Sequence, residues 1–193
     1  MNNSHDPTRR TVMAALAALP LSGAVSAAED RSALRLTGSR TLVAYFSRSG
    51  NTRVVAGLIH RAHNTDLFEI RPATPYPEEY LATVEQARQE RDTGYEPPLE
   101  TVLPNLIQYE TVYLGFPIWG ETTPPAIRAF LSSHDLSGKK LIPFITHGGY
   151  GLGNSLEVIT QHTRNVQLGE EFVMEADRER KTMDLVTSWL NHA

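Results

Sequence analysis

Between residues 41 and 191 two patterns take turns along the chain: short, continuous apolar runs, and stretches whose apolar residues recur at helical spacing. The runs are Thr41-Leu-Val-Ala-Tyr-Phe46, Asp66-Leu-Phe-Glu-Ile70, Thr111-Val-Tyr-Leu-Gly-Phe116, Leu141-Ile-Pro-Phe-Ile145 and a weaker one near 167–174. Their length and their β-branched and aromatic content fit strands, the first buried on both faces. Between them, 52–62 sets Val54, Val55, Leu58, Ile59 and Ala62 on one helical stripe, and 78–92 reads as a polar helix. Pro124 and Pro125 suit the first turn of a helix carrying Ile127, Phe130 and Leu131 on one face. Further helices are expected over 154–164 and 178–191, the last with Met183, Val186, Trp189 and Leu190 on its apolar stripe. Strand–helix alternation implies an α/β domain, a parallel sheet with helices on both faces. Sheets of this kind bind ligands outside the carboxyl ends of their strands.

The 193 residues suit one domain with a full core, preceded by a segment of different character. Residues 1–28 hold Arg9 and Arg10, then an alanine-rich apolar stretch, then small residues at Val25-Ser-Ala-Ala28. This is the layout of an export signal, and the arginine pair resembles a twin-arginine signal, with general export as the alternative. Residues 29–40 are expected as a linker and 41–193 as the mature domain, exported to a compartment such as the periplasm. The chain has no cysteine, so disulfides, thiolate metal sites and a cysteine nucleophile are excluded. A net charge of −4 without a basic face argues against nucleic acid as a partner. No run is long and apolar enough for stable membrane insertion of the mature chain.

Three loops at strand ends carry the chemistry. The first, Ser47-Arg-Ser-Gly-Asn-Thr52, packs hydroxyls, an amide and a glycine at a helix start, where free backbone N–H groups and the helix dipole favour an anion. It is neither a Walker A loop nor a dinucleotide glycine pattern. The second, Pro117-Ile-Trp-Gly120, places Trp119 at a strand end, either as a stacking surface or as a plug over a helix end. The third, Thr146-His-Gly-Gly-Tyr-Gly151, offers unhindered backbone around Tyr150. An anion cradle with two aromatic residues beside one crevice suits a planar heteroaromatic ring bearing a phosphate.

"AYFSRSGNT" is similar to the phosphate loop of flavodoxins, [Thr/Ser]-x-[Thr/Ser]-Gly-x-Thr, and "LGFPIWG" and "PFITHGGYGLG" look like that family's other two flavin loops. The resemblance covers about residues 41–191 and extends to single-domain relatives with "PYP-x-x-Y", here Pro75-Tyr-Pro-Glu-Glu-Tyr80. It implies a three-layer sandwich with a five-stranded parallel sheet of order 2-1-3-4-5, and non-covalent FMN. Carried over by position, Ser47, Arg48, Ser49, Gly50, Asn51 and Thr52 would cradle the phosphate, Arg48 contacting it or pointing to solvent. Pro117, Ile118, Trp119 and Gly120 would line one side of the isoalloxazine. Thr146, His147, Gly148, Gly149, Tyr150 and Gly151 would line the other, with His147 where electron-carrier flavodoxins commonly have an acidic residue. The implied function is redox: shuttling electrons to a partner protein, or reducing a small acceptor such as a quinone. A non-catalytic module that binds a phosphorylated ligand or partner through the same loops is the alternative.

Other features carry less. His60 and His63 sit at a helix end, where cations are favourable without any metal. The charge-rich run 78–92 reads as a solvated helix face, and no Gly-x-Ser-x-Gly elbow supports a hydrolase.

Overall fold

The structure, a computed structural model, describes residues 34–175, 185–186 and 188–192. The export-signal reading of residues 1–28 lies outside them, as do Met183 and the start of the last expected helix. Strands β1 (Leu34–Arg35), β2 (Thr41–Tyr45), β3 (Asp66–Glu69), β4 (Thr111–Pro117), β5 (Lys140–His147), β6 (Gln167–Leu168) and β7 (Phe172–Glu175) form one sheet. Helices α1 (Asn51–His63), α2 (Tyr80–Thr93), α3 (Pro125–Ser133) and α4 (Ser155–His162) connect them.

The order runs β1-β3-β2-β4-β5-β6, with β7 also on β5. The register pairs Leu42 with Asp66 on one side and with Val112 on the other, and Val112 in turn with Leu141, all parallel. The expected five-stranded order is therefore present, but the sheet departs from it twice. Residues 34–35, within the expected linker, add an antiparallel edge strand, Leu34 opposite Phe68. The fifth strand is two pieces, separated by Gly169-Glu-Glu171, residue types that disfavour a strand.

Successive strand residues face opposite layers. Leu42, Ala44, Val112, Leu114, Leu141 and Ile145 pack with Ala126, Ile127, Phe130 and Leu131 of α3 and Ile159 of α4. Val43, Tyr45, Tyr113, Ile142 and Phe144 pack on the other face with Val55, Ala56 and Ile59 of α1. Val186 and Trp189 complete that face, and Trp189 stacks on Phe172 at 5.0 Å. The apolar stripe of α1 is displaced from expectation: Val55, Ala56 and Ile59 are buried while Val54 is 56 % exposed. A helix ranged against a flat sheet buries a narrower arc than its apolar residues span.

Glycine is required at position 115 of β4. A Cβ there would lie 2.0 Å from the ring of Phe144 on the neighbouring strand.

Candidate functional site: a three-loop cleft at the strand ends

The loops after β2, β4 and β5 meet at one end of the sheet, because parallel strands deliver their carboxyl ends to the same side. Two bonds lock them together. The N–H of Ile118 donates to the carbonyl of Thr146 at 2.8 Å. The hydroxyls of Thr52 and Thr146, both buried, lie 2.9 Å apart and join the start of α1 to the end of β5.

Removing one hydroxyl of that pair leaves the other buried and unpaired. Thr52→Val and Thr146→Val should each destabilise the domain by about 1–2 kcal/mol. The double variant should cost less than the sum, by about 1 kcal/mol, in a urea-denaturation cycle.

In the first loop Gly50 takes φ +97° and serves as the N-cap of α1 without a side-chain cap bond. Ser47 stands in for the missing cap: its Oγ accepts from the N–H groups of Gly50 at 3.1 Å and Arg53 at 3.3 Å. The N–H groups of Asn51 and Thr52 have no intrahelical partner, as at any helix start. Arg48 turns towards the start of α2, donating to the carbonyl of Glu78 at 2.7 Å and lying 5.8 Å from the centre of the Tyr80 ring.

The second loop is a tight turn. Trp119 and Thr122 exchange backbone bonds of 3.1 and 3.3 Å across Gly120 and Glu121, both at positive φ. Trp119 is half-buried in an aromatic cluster, edge-on to Phe46 at 5.2 Å and to Tyr76 at 4.8 Å. It is thus both wedged against the core and a wall of the cleft. The turn is braced from the third loop, where the N–H of Asn154 donates to the carbonyl of Glu121 at 3.2 Å. Gly153 makes that approach possible, since a Cβ there would sit 2.0 Å from the same oxygen. In the third loop the N–H of Gly149 donates to Nδ1 of His147 at 3.0 Å, which leaves the proton of a neutral ring on Nε2. Tyr150 is 73 % exposed.

These loops enclose a cleft of about 930 Å³. Of the residues expected at the site, Arg48, Ser49, Asn51, Pro117, Ile118, Trp119, Gly120, Thr146, His147, Gly148 and Tyr150 line it. Ser47, Gly50, Thr52, Gly149 and Gly151 do not line it; Thr52 is buried, and Gly149 is exposed.

The wall that the sequence did not reveal is α2. Tyr80, Thr83, Val84, Ala87, Arg88 and Arg91 face the cleft, so the run read as a solvated face is solvated on one side only. Their spacing was legible as a helical stripe, but its mix of aromatic, small and basic residues has no core-like signature. Glu79 caps α2, its carboxylate accepting from the N–H groups of Leu81 and Ala82. Below, the Tyr76 hydroxyl donates to Glu90 at 2.7 Å. Burial, reinforced by that carboxylate, pushes the Tyr76 phenol well above its ordinary value.

Three arginines and one glutamate, Glu121, line the cleft, but Arg88 pairs with Glu85 at 2.8 Å and Arg91 with Asp92 at 2.8 Å, which leaves Arg48 as the lining arginine without an ion pair among the described residues. Nearby, burial pushes the Glu69 carboxyl up, but hydrogen bonds and charge from Arg53 and Arg71 outweigh it and hold Glu69 below the ordinary range.

The fold has solved counterparts. A protein of Bacteroides uniformis ATCC 8492 assigned as a flavoprotein shares 31 % identity, covering 80 % of this chain and 99 % of its own, with a TM-score of 0.70. A second, from Bacteroides eggerthii DSM 20697 and likewise assigned, shares 29 %, covering 79 % and 96 %, at 0.68. A flavoprotein in complex with FMN from Lactobacillus acidophilus NCFM has the same fold at 18 % identity, covering 75 % and 97 %, at 0.58. No curated protein matches the chain. Residues 40–193 match the family model described as Flavodoxin, and the chain belongs to that family.

Proposed function

We propose that this chain is an exported FMN-binding redox protein that passes electrons to a partner or reduces a small acceptor such as a quinone. The observation that carries the reading is the cleft itself. Ser49 and Asn51 bring polar side chains without hydrogen bonds among the described residues, and a helix start, to one part of it, while Trp119 and Tyr150 bring rings to another. The donor set fits a phosphomonoester, and the aromatic walls fit a planar ring. FMN, the cofactor of the flavodoxin family, has both parts. Bound there, it would supply one- or two-electron chemistry that no side chain of this cysteine-free chain can provide.

The protein's own contribution is positioning. The Ser49–Thr52 backbone and the side chains of Ser49 and Asn51 would hold the phosphate, with the α1 dipole favouring its charge. Trp119, fixed by Phe46 and Tyr76, would set one boundary of the ring site, and the Thr146–Gly148 backbone the other. A yellow purified protein with a flavin absorption spectrum supports this reading. A colourless protein that takes up no FMN would replace it with a non-catalytic module for phosphorylated ligands.

Export rests on the first 28 residues. A flavin is acquired where it is made, and the twin-arginine route carries folded cargo. Arg9→Lys with Arg10→Lys should leave a flavin-loaded precursor in the cytoplasm, detected by fractionation and absorbance. Normal export of that variant would point to the general pathway.

A further inference from the structure

Glu90, in the last turn of α2, is only 8 % exposed and makes no ion pair among the described residues. Arg128 reaches its backbone carbonyl, at 3.4 Å. The carboxylate is held by two neutral donors: the Tyr76 hydroxyl gives to Oε2 at 2.7 Å and the Gln86 amide to Oε1 at 2.8 Å. A buried carboxylate without a cation is costly, and an apolar side chain of similar size would pack there more cheaply. The end of a helix also disfavours negative charge. The helix does not need Glu90 to terminate, since the N–H of Gly94 closes that end on the carbonyls of Glu90 and Arg91.

What the carboxylate holds is Tyr76. This residue lies outside any strand or helix, so no ladder fixes its ring. The ring meets Trp119 edge-on at 4.8 Å and Phe46 at 6.0 Å. One line of contacts therefore runs from α2 through Glu90 and Tyr76 to Trp119, and ties two walls of the cleft together. We propose that Glu90 is a positioning residue for the flavin ring: it fixes Tyr76, and through Tyr76 the angle at which Trp119 faces the cleft. The proposal rests on the flavin reading for its ligand. Because the line ends on Trp119 and not on the loop after β2, its effect falls on the ring and spares the phosphate.

Glu90→Leu and Tyr76→Phe, singly and together, separate positioning from packing. Flavin-free protein is titrated with FMN and with riboflavin. Each single variant should weaken both flavins by the same factor, about three- to tenfold. The double variant should bind no more weakly than the worse single one, because the same bond is lost in all three. Unchanged affinities in Glu90→Leu, a loss confined to FMN, or losses that multiply in the double variant overturn the proposal. Tyr76→Phe keeps the ring and tests the same bond if Glu90→Leu protein folds poorly. A second readout needs no flavin. With 5-fluorotryptophan at both tryptophans, Trp119 and Trp189, the Trp119 fluorine line is assigned by its loss in Trp119→Phe. It should move or broaden in each variant while the Trp189 line stays. A Trp119 line that matches the parent's overturns the proposal. A moved line in a chain that takes up no flavin upholds the Glu90–Tyr76–Trp119 link and overturns the flavin reading instead.

Discussion

Ser49→Ala combined with Asn51→Ala should weaken FMN binding by about tenfold or more while changing riboflavin binding much less. The structure selects these two positions over their neighbours. Ser47 and Thr52 are the more obvious hydroxyls, but both are engaged: Ser47 caps the start of α1, and Thr52 pairs with Thr146 in the buried floor. Removing either would disturb the fold as well as the ligand. Ser49 and Asn51 line the cleft and hold no side-chain bond among the described residues. Their loss therefore reads the ligand alone. A bond to a phosphate dianion is charge-assisted and contributes about 1.5–3 kcal/mol, so losing even one is worth roughly a factor of ten. Isothermal titration of the flavin-free protein with FMN and with riboflavin makes the comparison. Equal losses for the two flavins would show that this loop does not hold the phosphate, and the cradle reading would fall.

The sheet was legible because its strands are buried on both faces. Continuous apolar runs such as Leu141-Ile-Pro-Phe-Ile145 leave little choice but a central parallel strand, and β5 extends that run by a residue or two at each end. The edges were less legible for the complementary reason. At Leu34–Arg35 and Gln167–Leu168 one side of the strand faces solvent, and two residues cannot display a period. Asp66 shows the same limit differently. A carboxylate heading a strand looks like a solvated strand start, yet here it is fully buried. Among the loops, composition pointed to the one after β2, where hydroxyls and glycine cluster, and the structure sets Ser49 and Asn51 of that loop on the cleft. The α2 wall was hidden because its cleft-facing residues, Tyr80, Thr83, Val84, Ala87, Arg88 and Arg91, mix apolar and charged types and form no continuous apolar stripe.

Asp66→Asn should lower stability at neutral pH by about 3 kcal/mol, or very roughly 6–12 °C in Tm for a domain of this size. The carboxylate is the acceptor for a whole corner of the sheet. Oδ1 accepts from the hydroxyl of Thr37 at 2.9 Å, from the Thr37 N–H, and from the Ser39 N–H at 3.4 Å. Oδ2 accepts from the Tyr109 hydroxyl at 2.7 Å. An amide supplies one acceptor and one donor, so either the Thr37 and Ser39 N–H groups would face a donor or the Tyr109 hydroxyl would have to turn and accept, leaving its own proton without the carboxylate. Burial pushes the Asp66 carboxyl up, but the bonds from Thr37, Tyr109 and Ser39 outweigh it and hold it below its ordinary value of 3.8. The counterpart effect pushes the Tyr109 phenol up to about 12, through burial and then its bond to that carboxylate. A lowered carboxylate pKa means the unfolded chain binds the proton more readily than the folded one. The Asp66 contribution is therefore fully present above the unfolded value near 3.8 and is lost as pH falls through the lower folded value. Urea denaturation from pH 7 downwards should show a constant gap between parent and Asp66→Asn at the upper end, narrowing only below about pH 4. Tyr109→Phe should reproduce part of the loss, about 1–2 kcal/mol, because it removes one donor and leaves the others satisfied. A parent and an Asp66→Asn variant of equal stability at neutral pH would show that water or a rearranged Thr37–Ser39 segment satisfies these donors as well as the carboxylate does, and that the edge strand is held to β3 by its backbone pairing alone.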